Sequence, residues 1–325
     1  MTRANFPDSL VRMQQILETL APLVLLIALG SALAHIRFLG AGFISDLNKL
    51  AFWIALPALI FTTAQNESDF GPQMWRLFGV MVGATILISF VAWCVSYAMR
   101  MPGNARGTLM QSAYRGNLAY IGIPVMVNSL GALPPASGKK AMTTAIIVMV
   151  LTMAFYNILA VVILQTYQES SQRVNWRQTA RSIATNPLLL SGILGLIVPL
   201  LRIHLPSFVD QALQSLGAAA IPIALLCIGG SLVIVPLKGK LSWIVVAAAL
   251  KTAVLPMLVF ALGHLVGLNP LELHIALILA ACPTAAAAFV MVRQMGGDDA
   301  LASGSIALSL FLSAFSLTFV LWLGS

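Results

Sequence analysis

Ten apolar stretches, joined by short linkers, take up almost the whole of this chain. A helix that spans a membrane needs about 20 mostly apolar residues, and each stretch is close to that length. The sequence therefore predicts an all-α integral membrane protein with ten transmembrane helices. The predicted helices cover residues 17–36, 44–64, 77–99, 107–129, 141–166, 186–203, 208–235, 241–266, 272–293 and 300–323.

The composition excludes a soluble domain. Of the 325 residues, 59% are hydrophobic and 9% are charged, and the mean hydropathy is +0.94. A soluble domain has about 25% charged residues. The net charge of +8 is spread over basic residues between the apolar stretches, where they orient helices and contact anionic lipid. We therefore expect the lipid bilayer as a partner, and no nucleic acid.

The chain divides into two halves of five predicted helices each. Residues 1–166 form the first repeat, a polar linker covers 167–185, and residues 186–325 form the second repeat. Predicted helices 2 and 7 carry a proline in similar surroundings, Pro57 and Pro222. Because five is an odd number, the two repeats must enter the membrane in opposite senses. This is the inverted-repeat arrangement of many transporters.

Predicted helices 4 and 9 are interrupted at matching places in the two halves. The interrupted segments are 116–124 (GNLAYIGIP) and 279–284 (LAACPT). Proline removes a backbone donor and clashes with the preceding turn, and lipid cannot satisfy the freed groups. We therefore predict that both helices unwind, at Pro124 and Pro283, and cross near the bilayer midplane. Such a pair indicates a transporter's substrate site, although two packing kinks remain the alternative.

The ends of broken helices can bind an anion. Their N-terminal ends carry unpaired N–H groups and about half a positive charge. Asn117 and Thr284 add hydrogen-bonding groups beside the two breaks, and Asn157, in predicted helix 5, either reaches the crossing or bonds a neighbouring helix. The candidate substrate-binding residues are Asn117, Ile123, Pro124, Asn157, Cys282, Pro283 and Thr284.

Two cations lie well inside predicted helices, Arg115 and Lys251. They either snorkel to the interface or act in function, by attracting an anion or by steadying the broken helices. We name both as charge or structural support, together with Gly122, which lies two residues before Pro124.

The acidic residues lie near predicted helix ends or in loops, which argues against a sodium/proton antiporter and favours an anionic substrate. The His and Cys residues show no metal-ligand spacing, and no nucleophile clusters with an acid or a base. We therefore predict no metal, no cofactor and no enzymatic activity.

The basic residues predict the orientation. Ten Lys and Arg residues lie on the side of the central linker, and six lie on the side of the N-terminus. The positive-inside rule then places both termini outside and the linker in the cytoplasm. We expect the protein in a bacterial inner membrane.

Three motifs resemble the auxin efflux carrier family, which includes bacterial malate and malonate permeases and plant PIN-type carriers. They are residues 114–124 (YRGNLAYIGIP), Pro283-Thr284 followed by 290–298 (VMVRQMGGD), and Lys251 with Pro256. The resemblance covers the whole chain.

The resemblance implies ten helices in an inverted repeat, with helices 4 and 9 crossing at their prolines. It also implies a scaffold of helices 1, 2, 6 and 7, a mobile transport domain of helices 3–5 and 8–10, and elevator-type alternating access. Asn117, Pro124 and Pro283 would then lie at the crossing, and two copies would pair through the scaffold.

The predicted function is therefore a secondary transporter of small organic anions, such as carboxylates or auxin-like acids. The coupling ion, H⁺ or Na⁺ if there is one, stays open. The alternatives are a sodium-coupled symporter of the bile-acid type and a membrane-embedded enzyme. The sodium symporter requires polar and acidic ion ligands near the crossing, and the enzyme requires a catalytic cluster; the sequence displays neither.

Overall fold

The computed structural model describes residues 8–65, 71–131, 133–167, 177, 180–181, 184–203, 205–234 and 239–324. In these ranges the regular secondary structure is helical, with no named strand. Seven of the helices are long and apolar enough to cross a membrane, and three shorter ones are also apolar. The helices are α1 (Asp8–His35), α2 (Ala41–Ala64), α3 (Pro72–Ala98), α4 (Gly103–Tyr114), α5 (Leu118–Leu130), α6 (Pro135–Thr166), α7 (Pro187–Leu200), α8 (Ser207–Ile234), α9 (Leu241–Val266), α10 (Pro270–Ala281), α11 (Ala286–Gln294) and α12 (Asp299–Gly324).

The outer surface of the helix bundle is apolar. Leu25, Trp75, Leu265, Phe311 and Phe315 are each more than half exposed, and they are a small part of a much larger set. A soluble monomer seldom exposes so many large apolar side chains, whereas lipid tails cover them at little cost. The chain is an integral membrane protein of the all-α class, as the sequence predicts.

Asparagine caps begin two of the shorter helices. The Asn186 side chain accepts from the backbone N–H of Leu188 at the start of α7 (2.9 Å). At the start of α10, Asn269 and Glu272 form a reciprocal capping box. In both helices a proline follows the cap, at a position where the N–H would have no helical partner. The sequence therefore fixes where both helices start.

Three prolines within long helical segments follow a π-helical turn. In each case the residue before the proline donates its N–H to the carbonyl five residues earlier instead of four. The wider turn accommodates a proline, which has no N–H and whose ring would clash with the carbonyl of the preceding turn. The turns are Ala51–Ala55 before Pro57, Leu118–Gly122 before Pro124, and Leu250–Val254 before Pro256.

The two predicted interruptions are both present, but the place of the first one is wrong. Helix α4 ends at Tyr114 and α5 begins at Leu118, so the first break comprises residues 115–117. Pro124 lies inside the continuous helix α5, because the π-helical turn absorbs the proline without unwinding the helix. The second break comprises residues 282–285, and it contains Pro283 as predicted.

Helices α1 and α8 pack with their backbones close together. A Cβ atom added to Gly30 would overlap the Leu226 carbonyl oxygen, and one added to Gly229 would overlap the Ile27 carbonyl oxygen. The Ser31 hydroxyl donates to the Gly229 carbonyl oxygen (2.8 Å). Helix α2 packs against both α8 and α7. Most of the predicted cytoplasmic linker, 167–185, lies outside the described residues.

Candidate functional site

The two breaks meet inside the bundle. Gly116 of the first break and Thr284 of the second form an isolated antiparallel bridge. The Asn117 N–H donates to the Pro283 carbonyl oxygen at 2.7 Å. Each break thus supplies hydrogen-bond partners that the other has lost by leaving the helix, which is what burial within a membrane requires. We call this pairing the junction.

Further hydrogen bonds fasten the junction to its surroundings. The Ala285 N–H donates to the Arg115 carbonyl oxygen (2.9 Å). The Thr284 hydroxyl donates to the Ser112 carbonyl oxygen at the end of α4 (3.0 Å), and its N–H donates to the Ser309 hydroxyl of α12 (2.9 Å). The junction is therefore fastened to the end of α4 and to α12.

The junction forms one wall of a cavity of about 570 Å³. Leu118 and Ala119, at the start of α5, and Ala286 and Ala287, at the start of α11, all line it. The N-termini of two half-helices thus adjoin the same space, and their first-turn N–H groups and dipoles favour negative charge there. The polar lining residues are Ser45, Asn48, Lys49, Arg115, Asn117, Tyr120, Tyr156, Asn157, Asn186, Ser231, Thr284 and Ser303.

The Arg115 guanidinium lies at the junction and is held by two other helices. Its Nη2 donates to the Asn157 Oδ1 of α6 at 2.6 Å, and its Nη1 lies 2.8 Å from the Met291 Sδ of α11. A thioether is a weak acceptor, so this half of the guanidinium has no strong partner. Arg115 is only 7% exposed, so its charge is largely removed from water.

The cavity lining carries positive charge without an acidic counterpart. Lys49 and Arg115 are its charged members, and no Asp or Glu belongs to it among the described residues. Lys49 pairs with Asp46 at 2.8 Å, and both of these side chains are mostly exposed. Of these two lining cations, Arg115 is the buried one.

Comparison with known proteins decides the family. The sequence profile of a family described as "Membrane transport protein" matches residues 15–321. This chain belongs to that family of transporters. It is the auxin efflux carrier family that the motifs resemble, so the sequence-based assignment is confirmed.

Curated relatives of this transporter cover nearly all of it. A protein of Rhizobium meliloti described as a putative malonate transporter is 28% identical over 85% of this chain and 86% of its own length. An uncharacterized transporter of Methanocaldococcus jannaschii is 23% identical over 85% of this chain and 87% of its own. An uncharacterized transporter of Methanothermobacter thermautotrophicus is 23% identical over 92% of this chain and 95% of its own length.

The structure brings part of the predicted site together around the cavity. Arg115, Asn117, Asn157, Pro283 and Thr284 all line it. The Asn157 side chain reaches the junction, where its Oδ1 accepts from the Arg115 guanidinium, and it lines the cavity. The Arg115 side chain is buried, so it does not extend to the outer surface of the helix bundle.

The other predicted residues lie behind the junction instead of in the cavity wall. Ile123, Pro124, Gly122 and Cys282 are buried and do not belong to the lining. A Cβ atom added to Gly122 would lie 3.3 Å from the Cys282 Sγ, so these two residues pack against each other. The Cys282 thiol donates to the Ile278 carbonyl oxygen at 3.2 Å. Their contacts are those of packing residues.

Lys251 is fully buried, so it does not snorkel either. Its Nζ donates to the Ala280 carbonyl oxygen, near the C-terminal end of α10, at 2.6 Å. The ammonium therefore joins α9 to the broken helix α10, and it does not belong to the cavity lining.

Sequence reasoning missed several residues of this site. Asn48, Asn186 and Ser303 line the cavity, and Met291 contacts Arg115. Polarity within an apolar stretch was the available signal for Asn48 and Ser303. Nothing in the sequence distinguishes Met291 from any other apolar residue of its helix.

Proposed function

We propose that this chain is a secondary transporter, a permease or an efflux carrier, that moves small organic anions across the membrane. The observation that carries the proposal is the Arg115 guanidinium. It is 7% exposed, it lies beside the N-termini of two half-helices, and the described lining of its cavity holds no carboxylate. A buried cation is costly unless an anion pairs with it, and a substrate can supply that anion.

Carboxylates are the substrate class that fits this site. A carboxylate accepts two parallel hydrogen bonds from a guanidinium, and Asn117 provides a further polar group at the junction. The relative described as a putative malonate transporter supports a carboxylate. The cavity volume of about 570 Å³ and a largely apolar lining also leave room for auxin-like acids with an aromatic body.

The architecture proposed for this function is a ten-helix inverted repeat. Helices α4 and α5 together make the fourth transmembrane helix, and α10 and α11 make the ninth. The first repeat then covers residues 1–166 and the second 186–325, on either side of the linker. The seven long helices, the three shorter apolar ones and the paired breaks support this arrangement.

Alternating access is proposed to follow an elevator mechanism. Helices α1, α2, α7 and α8 form the scaffold, and α3–α6 and α9–α12 form the moving transport domain. The close packing of α1 on α8 supports a rigid scaffold. The cavity lies between the two groups, since Asn48, Asn186 and Cys227 come from the scaffold and Asn157 and Thr284 from the transport domain.

The orientation is proposed from the basic residues. Both termini lie outside a bacterial inner membrane, and the central linker lies in the cytoplasm. The cavity extends from the junction to Lys49 and Asn186, near the linker-side ends of α2 and α7, and this supports a proposed cytoplasm-facing state. Two copies pair through the scaffold helices.

Counterflow into proteoliposomes tests the proposal. Vesicles loaded with unlabelled acid are given radiolabelled malonate, malate or indole-3-acetate, and protein-free vesicles serve as the control. We expect saturable accumulation of at least one acid, competed by the others. A purified, folded protein that moves none of them, or that chemically converts one of them, contradicts the proposal.

A further inference from the structure

Lys251 lies in the protein interior, and no acidic partner is found for it in the part of the chain that the structure describes. It belongs to the π-helical turn of α9 and is 0% exposed. Ion pairs of the described residues include Asp46 with Lys49, Glu272 with Arg76 and Asp299 with Arg293, and none of these includes Lys251. Its positive charge must therefore be balanced by something other than a described carboxylate.

The balancing group is the end of a broken helix. The Lys251 Nζ donates to the Ala280 carbonyl oxygen at 2.6 Å, and α10 ends one residue later, at Ala281. The last carbonyls of a helix have no intrahelical donor, and together they carry about half a negative charge. Lys251 thus contacts the negative end of the ninth transmembrane helix at its break.

The same ammonium lies directly against the junction. A Cβ atom added to Gly116 would lie 3.4 Å from the Lys251 Nζ and 3.5 Å from the Leu279 carbonyl oxygen. The charge, the carbonyl end of α10 and the bridged backbone of the first break therefore lie within one small region. Lys251 itself does not line the cavity, whereas Gly116, beside which its ammonium lies, does.

Carbonyl groups at the end of an unwound helix are what binds Na⁺ in ion-coupled transporters with broken helices. Here that position already holds an ammonium. We infer that Lys251 is a built-in cation in the place of a coupling ion, so that anion transport by this chain needs no Na⁺. This inference rests on the proposed function, because it concerns what drives the same transport.

The tethered cation also explains how the junction can move as one piece. A free ion must bind and leave in each cycle, whereas Lys251 is fixed to α9. Its bond to α10 keeps the carbonyl end neutralised in every state of the cycle, and it links α9, α10 and the first break. Lys251 is in this sense a positioning residue that acts through the backbone of the junction.

The first test changes the main cation of the buffer and leaves the protein unchanged. Counterflow of radiolabelled malonate, or of whichever acid the wild-type protein carries, is measured with Na⁺, K⁺ or choline as the main cation on both sides. We expect rates within about twofold of each other, because no Na⁺ takes part. Flux that requires Na⁺, with saturation in its concentration, overturns the inference while leaving the transport function intact.

The second test removes the built-in cation and offers a free one. In Lys251→Ala we expect malonate flux to fall about tenfold or more, since the charged hydrogen bond to the end of α10 is lost. Ethylammonium fits the space left by the side chain and should restore part of the flux, whereas choline is too large. Lys49→Ala, at the exposed mouth of the cavity, is the control that should not respond to ethylammonium.

A third measurement does not depend on any substrate. The thermal transition of the detergent-solubilised protein is followed in Na⁺, K⁺, choline or ethylammonium. The wild-type transition should be the same in all four salts, and that of Lys251→Ala should be lower and should rise in ethylammonium. Lys251→Met, whose side chain fills the space, should also be lower but should not respond to ethylammonium. A wild-type protein stabilised specifically by Na⁺, or a Lys251→Ala protein with normal flux and no response, overturns the inference.

Discussion

Arg115 contributes to the junction through its backbone and to the cavity through its side chain. Its carbonyl oxygen accepts from the Ala285 N–H, which ties the first break to the second. Its guanidinium donates to Asn157 on one side, and on the other side it lies 2.8 Å from the Met291 thioether. A carboxylate is a much stronger acceptor than a thioether, so a substrate can gain a charge-assisted bond here.

The first prediction concerns the charge of this side chain. Arg115→Gln should raise the KM for the transported acid about tenfold or more, because a charge-assisted hydrogen bond contributes roughly 1.5–3 kcal/mol. Arg115→Lys should recover only part of the affinity, since an ammonium lacks the planar fork of the guanidinium. The measurement is initial uptake rate against acid concentration in proteoliposomes.

Arg106→Gln is the matched control for Arg115. Arg106 lies near the start of α4, where it contacts the Met101 carbonyl oxygen and the Tyr97 ring, and it does not line the cavity. Its replacement should leave KM within about twofold of wild type, as surface charge contacts contribute little. Equal effects of the two changes would show that net charge, and not the guanidinium at the junction, determines affinity.

Single residues show what the sequence could predict about this site. Arg115, Asn117, Asn157 and Thr284 were predictable because a polar group within an apolar stretch must find a buried partner. The bond from Lys251 to the α10 end was not predictable, since it depends on which helices are neighbours. For the same reason Met291, which looks like any core residue, could not be found.

At the scale of helices, proline proved an ambiguous signal. Pro57, Pro124 and Pro256 each follow a π-helical turn within a continuous helical segment, whereas Pro283 lies in a true break. From the sequence one can infer only that each proline lacks a backbone N–H. Whether the helix unwinds or forms a wider π-helical turn depends on the hydrogen-bond donors that neighbouring helices offer to the freed carbonyls. The existence of two breaks was therefore predictable, but the position of the first one was not.

The second prediction tests how one such carbonyl is satisfied. In a regular helix the Thr252 carbonyl oxygen would accept from residue 256, which is a proline; instead it accepts from the Ser316 hydroxyl of α12 at 2.6 Å. Ser316→Ala should therefore lower the free energy of unfolding by about 1–3 kcal/mol. In a Pro256→Ala background the loss of unfolding free energy caused by Ser316→Ala should be smaller. Residue 256 then regains an N–H that can donate to the Thr252 carbonyl oxygen.

Denaturation of the purified protein in detergent measures this coupling. Ser305→Ala is the control, since the Ser305 hydroxyl of the same helix donates to the Leu301 carbonyl oxygen within α12. That change should cost little in either background. An unchanged cost of Ser316→Ala with and without Pro256 would refute the role given to this hydrogen bond.

The third prediction concerns the packing of α1 on α8. Gly229→Ala places a Cβ atom against the Ile27 carbonyl oxygen, which belongs to a rigid helix backbone and cannot move aside. Overpacking of this kind costs about 1–3 kcal/mol, so the thermal transition should fall by several degrees. Gly79→Ala in α3 is the control, because nothing lies within 4 Å of its added Cβ. A similar change in both variants would argue against close packing of α1 on α8.

At the scale of the whole molecule, an elevator requires contacts between the two groups of helices to break in each cycle. One such contact joins the Asn128 side chain of α5 to the Thr19 carbonyl oxygen of α1 at 3.0 Å. A contact within the scaffold joins the Gln65 side chain, at the end of α2, to Asp210 of α8 at 2.7 Å. An elevator motion separates the first pair and leaves the second unchanged.

The fourth prediction uses these two pairs. Thr19→Cys with Asn128→Cys, joined by a short bifunctional thiol reagent in a Cys94→Ala background, should stop transport and leave acid binding intact. Cys94 is replaced because it is the exposed native cysteine; the other two are buried. Flux through reconstituted vesicles is measured before and after the cross-link is reduced.

Gln65→Cys with Asp210→Cys is the control pair, and its cross-link should not slow transport. Full flux through the Thr19–Asn128 cross-link would contradict the elevator and favour a motion confined to the junction. Loss of flux in both cross-linked pairs would show that the scaffold itself has to flex.

The central claim is that a negatively charged solute binds where the two broken helices meet. An experimental density map of the protein with a transported acid, compared with a map without it, tests this claim most directly. We predict new density for a carboxylate within hydrogen-bonding distance of the Arg115 guanidinium and Asn117, with the bridge between Gly116 and Thr284 intact. Ligand density elsewhere in the bundle, or continuous fourth and ninth helices that do not touch, would contradict it.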